Sequence, residues 1–383
     1  MLVIDASNAE RYLRDAGRIE PADQVEITRL AGGVSNEVLY VAFPRDPSQD
    51  FVLKQARERL RVADPWFCGV ERIWREVEVL RICQRVLESH VGCISTLPAG
   101  GTARLKTFPA KTFLSVRSPR ILFEDRENYC FGMEAAPQDH VVWKQRLLHC
   151  PSEEDAALDE HIAEQCGRLL GALHGGTWGD PSVAAALDDR RVFDELRLDP
   201  YFRTVARRHP DAAPLLDRLA ESVWSRRLCL VHADFSPKNL LVYAGGLMMV
   251  DFETGHYGDP AFDLGFFLTH LVLKGFYHAP GHEPLFGLTD RFWSAYRETI
   301  AALIASGYQR EEAVSVIADL ERHAILNFAG CAWARLDGKS PVEYLTDGRR
   351  RDQVRRLCRG VLKDPPDRWI DVLGRCREVL DEQ

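Results

Sequence analysis

Apolar and polar positions alternate along three short stretches near the start of the chain. These are "VEITRL", "VLYVAF" and "FVLKQA" within residues 25–56, and the turn-forming segments "AGGVSNE" and "PRDPSQD" separate them. Alternation with a period of two, bounded by Gly, Pro, Asn and Asp, is typical of β-strands joined by tight turns. The pattern therefore predicts an antiparallel meander.

A helical pattern follows, after which strand character returns. Apolar side chains recur every three or four positions over residues 68–90, and the predicted helix face comprises Val70, Ile73, Trp74, Val77, Leu80 and Leu87. Residues 110–135 again resemble strands and end in the stretch "YCFGMEAAP". Because small residues and a proline follow this last strand, we place a domain boundary near residue 137.

Beyond that boundary the pattern is mainly helical. Helices are predicted for "DEHIAEQCGRLLGALHGG" and for residues 261–275, 290–306, 310–336 and 350–381. One segment, residues 228–255, interrupts them with the sequence "LCLVHADFSPKNLLVYAGGLMMVDFETG". Its apolar runs on either side of "AGG" predict a short hairpin.

Together these elements predict an α+β chain with two lobes. A small antiparallel β-rich lobe with one main helix is expected over residues 1–136. A larger, mainly helical lobe is expected over residues 137–383, with the hairpin at the junction. The length of 383 residues suffices for two hydrophobic cores.

Composition and charge exclude several classes of protein. Hydrophobic residues make up 46% of the chain and charged residues 28%, as in ordinary globular proteins. The net charge of -8 argues against a nucleic-acid partner, and the lack of a long apolar run argues against a membrane partner. The ten cysteines include no C-x-x-C pair, which predicts reduced thiols in hydrophobic cores and a cytoplasmic location.

The hairpin segment places His232, Asp234, Asn239 and Asp251 between two apolar runs. Polar side chains in such a position require a metal or a substrate to meet them. Phosphoryl transfer needs a base for the attacking hydroxyl and Mg²⁺, which prefers hard oxygen ligands. In that chemistry Asp234 is the catalytic base, Asn239 and Asp251 bind the metal, and His232 braces the loop.

The segment "HADFSPKN…VDFE" resembles the catalytic segment of the kinase-like phosphotransferases, which include aminoglycoside phosphotransferases, choline kinases and methylthioribose kinases. The resemblance covers roughly residues 25–275 and implies a bilobal protein-kinase-like fold that uses ATP and Mg²⁺. Protein kinases themselves differ, because Ala233 replaces their arginine. In addition, only eleven residues separate Asp251 from Asp263, which leaves no room for an activation segment.

The resemblance also implies a nucleotide site in the N-terminal lobe. Lys54 would contact the α- and β-phosphates of ATP, with Glu76 as its carboxylate partner and Glu78 as the competing partner. A lone charge on an apolar strand requires such a partner, unless Lys54 lies on an edge strand. Glu134 to Ala136 stand where the hinge of the family receives adenine.

The segment "AGGVSNE" stands where the family covers the phosphates of the nucleotide. Gly32, Gly33 and Ser35 offer backbone and hydroxyl donors to a phosphate. A simple hairpin turn explains the same residues, and both interpretations stay open at this point.

Three further stretches extend the resemblance. In "GDPAFDLG", Asp263 corresponds to a structural residue that holds the catalytic loop through backbone amides, although a helix cap would explain it too.

The stretch "DFETGHYGDPAFD" resembles the corresponding segment of methylthioribose kinases, which makes Glu253 either an additional Mg²⁺ ligand or an exposed acid in a turn. "GCAWAR" resembles their G-C-x-x-x-R and places Arg335 at the sugar. Leu336, however, replaces the second arginine of that family.

The basic stretch "DGRRRDQVRRLCRGVLKD" is either a solvated helix face or a pocket lining that favours a neutral or anionic acceptor.

From the catalytic and nucleotide-binding motifs we expect an ATP- and Mg²⁺-dependent kinase that phosphorylates a hydroxyl of a small molecule, such as a methylthioribose-like sugar. An aminoglycoside phosphotransferase and a nucleotide-binding pseudokinase without turnover are the alternatives. We expect a monomer or homodimer.

Overall fold

The computed structural model describes residues 1–30, 36–59, 68–90, 115–149, 153–304 and 310–382. The chain forms two compact units. The first contains residues 1–84 and 118–138, and the second contains residues 85–117 and 139–383. The predicted assignment of nucleotide binding and catalysis to separate lobes stays a prediction.

The described strands are β1 (Glu26–Arg29), β2 (Asn36–Ala42), β3 (Phe51–Ala56), β4 (Ser115–Arg117), β5 (Ile121–Asp125), β6 (Cys130–Glu134), β7 (Val141–Val142), β8 (Cys229–Val231), β9 (Leu240–Tyr243), β10 (Gly246–Met249) and β11 (His256–Gly258). The described helices are α1 (Ala9–Asp15), α2 (Arg72–Ser89), α3 (Trp143–Leu148), α4 (Glu153–Gly176), α5 (Pro181–Ala186), α6 (Arg191–Phe193), α7 (Thr204–Arg208), α8 (Ala213–Ser225), α9 (Pro260–His278), α10 (Glu283–Ile304), α11 (Arg310–Asp337), α12 (Gly348–Lys363) and α13 (Trp369–Asp381). A π-helical stretch, Asp194–Arg203, joins α6 to α7.

An antiparallel sheet forms the centre of the first unit, as the alternating pattern predicted. Its strand order is β1-β2-β3-β6-β5, and every neighbouring pair runs antiparallel. Strand β3 lies between β2 and β6, so all six of its residues are buried. Lys54 is opposite Val38 on one side and Phe131 on the other. The edge-strand interpretation of Lys54 is therefore wrong.

The N-terminal segment completes the core of the first unit. Ile4 and Leu13 are fully buried in one apolar cluster with Leu53 of the central strand. The side chain of Gln55 accepts a hydrogen bond from the Ile4 N–H at 2.9 Å and donates to the Leu2 carbonyl at 2.7 Å. Both contacts fasten the first residues of the chain to the sheet.

Two small sheets accompany the helices of the second unit. Strands β9 and β10 form the predicted hairpin, which β4 and β7 extend into the order β4-β10-β9-β7. Strand β8 pairs instead with β11, a three-residue strand whose sequence "HYG" has no alternating pattern to predict it.

Helix α9 is the buried centre of the helical part. Asp259 caps its N-terminus, because Oδ1 accepts a hydrogen bond from the Ala261 N–H at 3.0 Å. The neighbouring helix α11 approaches so closely at Gly265 that a Cβ there would lie 2.5 Å from the Phe328 nitrogen. A glycine is needed at this crossing.

Helices α9 and α11 agree with their predicted ranges to within three residues, whereas α4 and α10 begin at Glu153 and Glu283, before the predicted starts at residues 159 and 290, and the C-terminal prediction fails. Residues 350–381 were predicted as one helix, but α12 ends at Lys363 and α13 begins at Trp369. Pro365 and Pro366 lie between them, and proline cannot continue a helix because it lacks the N–H donor. The prediction of a single helix was therefore wrong.

Eight cysteines lie in the described part of the chain, and all eight side chains are buried. The prediction of core-filling thiols is confirmed for these eight. Across the described residues, no helix has both the length and the apolar character that crossing a membrane requires.

Candidate active site

The loop that follows β8 carries the predicted catalytic residues and adopts a strained backbone. Strand β8 is buried along its length, and the loop returns to β9 through a 3₁₀ turn, Pro237–Asn239. Ala233 has φ of +60°, in the left-handed region that side chains with a Cβ rarely adopt. Such strain persists only where surrounding contacts impose it.

Asp263 of helix α9 supplies those contacts. Its Oδ2 accepts a hydrogen bond from the His232 N–H, and its Oδ1 accepts one from the Ala233 N–H, both at 2.7 Å. The alternative interpretation of Asp263 as the helix cap is wrong, because Asp259 caps the helix. The carboxylate instead fixes the backbone that leads into Asp234.

His174 supports the same carboxylate from helix α4. Its Nε2 lies 3.3 Å from Asp263 Oδ2, and its Nδ1 lies 3.0 Å from the hydroxyl of Tyr296. All three side chains are fully buried. A ring that donates from Nε2 to Asp263 and accepts from the Tyr296 hydroxyl at Nδ1 gives each of these atoms a hydrogen-bond partner.

Both carboxylate oxygens of Asp234 are engaged by basic or amide groups. Arg197 Nη2 lies 2.7 Å from Oδ1, and Lys238 Nζ lies 2.8 Å from Oδ2. The side-chain nitrogen of Asn239 also donates to Oδ2 at 2.8 Å. A carboxylate has about four acceptor positions, so these three donors leave about one for a further hydrogen bond.

The cations around Asp234 determine its charge state. Burial raises the pKa of Asp234, but the Arg197 guanidinium and the Lys238 ammonium outweigh that effect and hold the pKa below its ordinary value. Burial also lowers the pKa of His232, whose Nδ1 accepts a hydrogen bond from the Asp234 N–H at 3.1 Å. Asp234 is therefore an ionised acceptor braced by a neutral imidazole.

Two of the three predicted metal ligands, Asp251 and Glu253, lie near Arg197. Burial lowers the pKa of Arg197, but Asp234, Glu253 and Asp251 are among the groups that raise it overall, so all three carboxylates lie near this guanidinium. Glu253 is only 7% exposed, so the interpretation of an exposed turn acid is wrong. Asp251 has φ of +71°, a second strained position in the segment.

These residues fit Mg²⁺ by their chemistry. Among the described residues, no three His, Cys, Asp or Glu side chains converge to hold a metal by themselves. Mg²⁺, however, commonly takes one or two carboxylates and completes its shell with phosphate oxygens and water. Asn239 directs its amide nitrogen at Asp234, so its amide oxygen is the atom that remains for a cation.

In the first unit, Lys54 and Glu76 form a buried ion pair. Their Nζ and Oε1 atoms are 2.7 Å apart, and the side chains are 5% and 0% exposed. Glu78, the competing partner, is 43% exposed and lies 4.0 Å from Arg81. The structure therefore selects Glu76 as the partner of Lys54.

The other predicted nucleotide-binding residues are only partly described. Gly32, Gly33 and Ser35 lie outside the described residues. Glu134 ends strand β6, where its N–H donates to the Arg120 carbonyl at 2.8 Å, and Ala136 is half-buried just beyond it. Their role in binding adenine stays a prediction.

Arg335 does not contact the catalytic loop in the described structure. Its Nη1 donates to the hydroxyl of Ser340 at 2.9 Å and also to the Ser340 carbonyl, while its Nε is buried without a hydrogen-bond partner among the described residues. Its predicted contact with a sugar stays a prediction.

The basic face of helix α12 is occupied by structural contacts. Arg355 binds both carboxylate oxygens of Asp337 at 2.7 and 2.9 Å. Arg356 lies 2.7 Å from Glu382, and Arg359 pairs with Asp211. The side chains of Arg356 and Arg359 are 55% and 38% exposed, so these ion pairs lie at the surface of the second unit, in agreement with the solvated-face interpretation.

Sequence reasoning missed Arg197 and the contact of Lys238. Lys238 carried a usable signal, because it follows Asp234 by four residues in a loop that ends in a 3₁₀ turn. Arg197 carried none, because it lies in the π-helical stretch, where Pro200 interrupts any regular period.

Comparisons with known proteins show what the chain is similar to. Residues 110–281 match the sequence profile described as the phosphotransferase enzyme family. Methylthioribose kinase from Geobacillus kaustophilus (strain HTA426) is 32% identical over 113 residues, which are 27% of this chain. Methylthioribose kinase 2 from Oryza sativa subsp. japonica is 22% identical over 286 residues, which are 68% of this chain. The matches span 27% and 59% of the lengths of these two relatives.

A solved structure extends the likeness across the fold. Choline kinase from Cryptosporidium parvum Iowa II superposes with a TM-score of 0.51 and 12% sequence identity, over 98% of this chain and 97% of that one. The antiparallel N-terminal sheet and the helical C-terminal part are those of this kinase-like fold. The chain therefore has a kinase-like fold, and residues 110–281 match the phosphotransferase enzyme family.

Proposed function

We propose that the protein is an ATP- and Mg²⁺-dependent phosphotransferase that transfers the γ-phosphate of ATP to a hydroxyl group of a small molecule. One observation carries this proposal. Asp234 is held ionised by Arg197 and Lys238, with one acceptor position left over, on a loop whose backbone Asp263 fixes.

The remaining acceptor position of Asp234 suits the hydroxyl of the acceptor molecule. The attacking oxygen bonds to the γ-phosphorus while the bond from that phosphorus to the bridging oxygen of ADP breaks, and the hydroxyl proton passes to Asp234. Because the pKa of Asp234 is held low, the carboxylate mainly orients the hydroxyl and accepts its proton late in the transfer.

Asn239 and Asp251 would hold the metal, with Glu253 as a further ligand. Bound Mg²⁺ neutralises phosphate charge and orients the transferred group. Lys238 is 44% exposed, which leaves its ammonium accessible to a phosphate oxygen as well as to Asp234. In the first unit, the pair of Lys54 and Glu76 supplies the cation that ATP phosphates require and the carboxylate that positions it.

The partial likeness to methylthioribose kinases bears on which small molecule accepts the phosphate. That likeness supports a pentose-like acceptor as the first compound to test. The basic and ion-paired surroundings of the second unit give no support to a polycationic aminoglycoside. We also propose that the protein acts in the cytoplasm as a monomer or homodimer.

The test is ATP consumption by the purified protein with Mg²⁺ and a panel of acceptors. The panel comprises methylthioribose, other pentoses, choline-like alcohols and aminoglycosides, each with the wild type and with Asp234→Asn. We expect acceptor-dependent turnover that falls by roughly 10² to 10⁴ in the variant, while nucleotide binding persists. Equal turnover in both proteins contradicts the assignment of the base, and ATP binding without turnover on any acceptor favours a pseudokinase.

A further inference from the structure

Helix α9 buries two basic side chains one turn apart in an otherwise apolar sequence. Lys274 is 0% exposed and His270 is 7% exposed. Lys274 Nζ donates to the His270 carbonyl at 2.9 Å and lies 5.4 Å from the ring centroid of Tyr344. Within the described part of the chain, no carboxylate forms an ion pair with Lys274. A buried amine without a counter-ion is costly, so this arrangement calls for an explanation.

Three polar atoms around this amine have no hydrogen-bond partner among the described residues. They are His270 Nε2, the Tyr344 hydroxyl and Arg335 Nε. Buried polar atoms in native proteins are nearly always hydrogen-bonded, so each exception points to a missing partner. We call the four residues that carry these atoms and the amine the Lys274 cluster: His270, Lys274, Arg335 and Tyr344.

The charges in and around the Lys274 cluster do not balance. Burial, together with the positive charges of Lys144 and Arg335, lowers the pKa of Lys274 to about 7, and the Glu343 carboxylate partly opposes them. Lys144 already pairs with Glu343. One carboxylate therefore faces three basic groups, Lys144, Lys274 and Arg335, and an added anion would restore the balance.

The Lys274 cluster lies close to the candidate base within the second unit. The ring of Phe266 is 4.8 Å from the ring of His270 and 5.7 Å from the guanidinium carbon of Arg197. Arg197 in turn contacts Asp234. The opposite side of the cluster reaches solvent, because Arg335 and Tyr344 are only half-buried and the side chain of Glu343 is 66% exposed.

We propose that the Lys274 cluster binds an oxyanion group, a carboxylate or a phosphate, on the acceptor molecule. Lys274 Nζ, Arg335 Nε and the Tyr344 hydroxyl are its donors. This inference rests on the proposed function and names its acceptor class: a hydroxylated molecule that also carries an anionic group, such as a hydroxy acid or a sugar phosphate. One end of the acceptor is held at the cluster while its hydroxyl reaches Asp234.

The first test measures anion binding without turnover. Inorganic phosphate and acetate are added separately, without nucleotide or metal and at constant ionic strength, and the melting temperature is recorded for the wild type, Lys274→Met and Tyr344→Phe. A ligand that binds only the folded state raises the melting temperature. Because Lys274→Met removes a buried amine without breaking an ion pair, we expect this variant to fold.

We expect at least one of the two anions to stabilise the wild type, with the effect lost in Lys274→Met and reduced in Tyr344→Phe. Lys363→Met is the control, because it removes an exposed lysine at the end of helix α12, outside both the Lys274 cluster and the predicted nucleotide site, and should keep the effect. Equal shifts in the wild type and Lys274→Met, or no shift with either anion, overturn the proposal. A shift with phosphate alone or acetate alone identifies the group.

The second test uses pairs of acceptors that differ only in the anion: a sugar phosphate with its free sugar, and a hydroxy acid with its amide. We expect KM for the anionic member to rise about tenfold or more in Lys274→Met, because a charge-assisted hydrogen bond is lost. KM for the neutral member should change little. If the wild type prefers the neutral acceptors and Lys274→Met keeps that preference, the anion site is refuted but the proposed function is not. If Asp234→Asn turns over the acceptors as fast as the wild type does, the proposed function is refuted, whatever the anion-binding result.

Discussion

Arg197 Nη2 lies 2.7 Å from Asp234 Oδ1, and Arg197 Nε donates to the Ala233 carbonyl at 2.6 Å. One guanidinium from the π-helical stretch thus holds both the carboxylate and the backbone of the catalytic loop. Planar guanidinium groups are suited to such paired contacts. Arg197 is therefore the residue that connects the conformation of this loop to the charge of its base.

Replacing Arg197 by Met should lower kcat and move the pH profile. One of the two cations that hold the pKa of Asp234 down is removed, so this pKa rises and the acidic limb of kcat/KM moves to higher pH. We expect a loss of about 10-fold to 10²-fold, smaller than that of Asp234→Asn. Steady-state kinetics across pH 5 to 9 with the identified acceptor measure both effects.

Arg197→Lys is the control for charge. It keeps a cation but not the two-point contact, so it should recover most of the pH profile and only part of kcat. A pH profile that is the same in Arg197→Met as in the wild type would show that Arg197 does not set the charge state of Asp234.

The strained position of Ala233 predicts a stabilising glycine. Glycine adopts φ of +60° without a steric cost, although it loses more entropy on folding. Ala233→Gly should therefore raise the free energy of unfolding by up to about 1 kcal/mol, and Ala233→Val should lower it by more than that. Urea denaturation with an unchanged m-value measures the difference.

Ala220→Gly provides the comparison, because Ala220 lies inside helix α8, where glycine costs about 1 kcal/mol relative to alanine. If both glycine variants lose stability equally, the left-handed conformation at residue 233 is not a source of strain.

Glu76 and Glu78 offer a matched pair on helix α2. Glu76→Gln leaves the buried Lys54 ammonium opposite a neutral amide, so we expect a loss of about 3 kcal/mol in unfolding free energy and a higher KM for ATP. Glu78→Gln removes an exposed charge and should change stability by less than about 0.5 kcal/mol. Chemical denaturation and ATP kinetics distinguish the two, and indistinguishable variants would rule out a special role for Glu76.

Because of Lys274, the free energy of unfolding should depend on pH above pH 7. Its pKa is about 7 in the folded protein and 10.5 ordinarily, so between these values the unfolded chain binds more protons. The free energy of unfolding therefore rises with pH across this window, by at most about 1.4 kcal/mol per pH unit, and the penalty is complete below pH 7. Lys274→Met lacks this dependence.

The measurement is the difference in unfolding free energy between the wild type and Lys274→Met from pH 7 to pH 10. The difference should shift in favour of the wild type as pH rises. A difference that stays constant over this range would mean that Lys274 is charged in both states.

Patterned parts of this fold could be predicted from the sequence, and unpatterned parts could not. The strands of the first unit and the long helices follow from periods of two and of three to four residues, because one face of each element is buried. Strand β11 and the π-helical stretch have no such period. Their conformations depend on partners that are distant in the chain, β8 for the first and Asp234 for Arg197 in the second.

Some residues of the candidate site could be predicted from the sequence, and others could not. His232, Asp234, Asn239 and Asp251 are close in sequence, so a short motif identifies them. The Lys274 cluster draws on helix α9, helix α11 and the segment between α11 and α12, which only folding brings together. A lysine within "FDLGFFLTHLVLKGF" was nevertheless a visible signal, since a basic residue in an apolar helix requires a partner.

The attachment of the first residues to Gln55 matters for anyone who handles this protein. Ile4 and Leu13 cover apolar side chains of the sheet, such as Leu39 and Leu53. Deleting these residues would expose that apolar surface to solvent and favour aggregation. An affinity tag joined directly before Leu2 would crowd the hydrogen bonds that anchor the segment, so a flexible spacer should precede any fusion at this end.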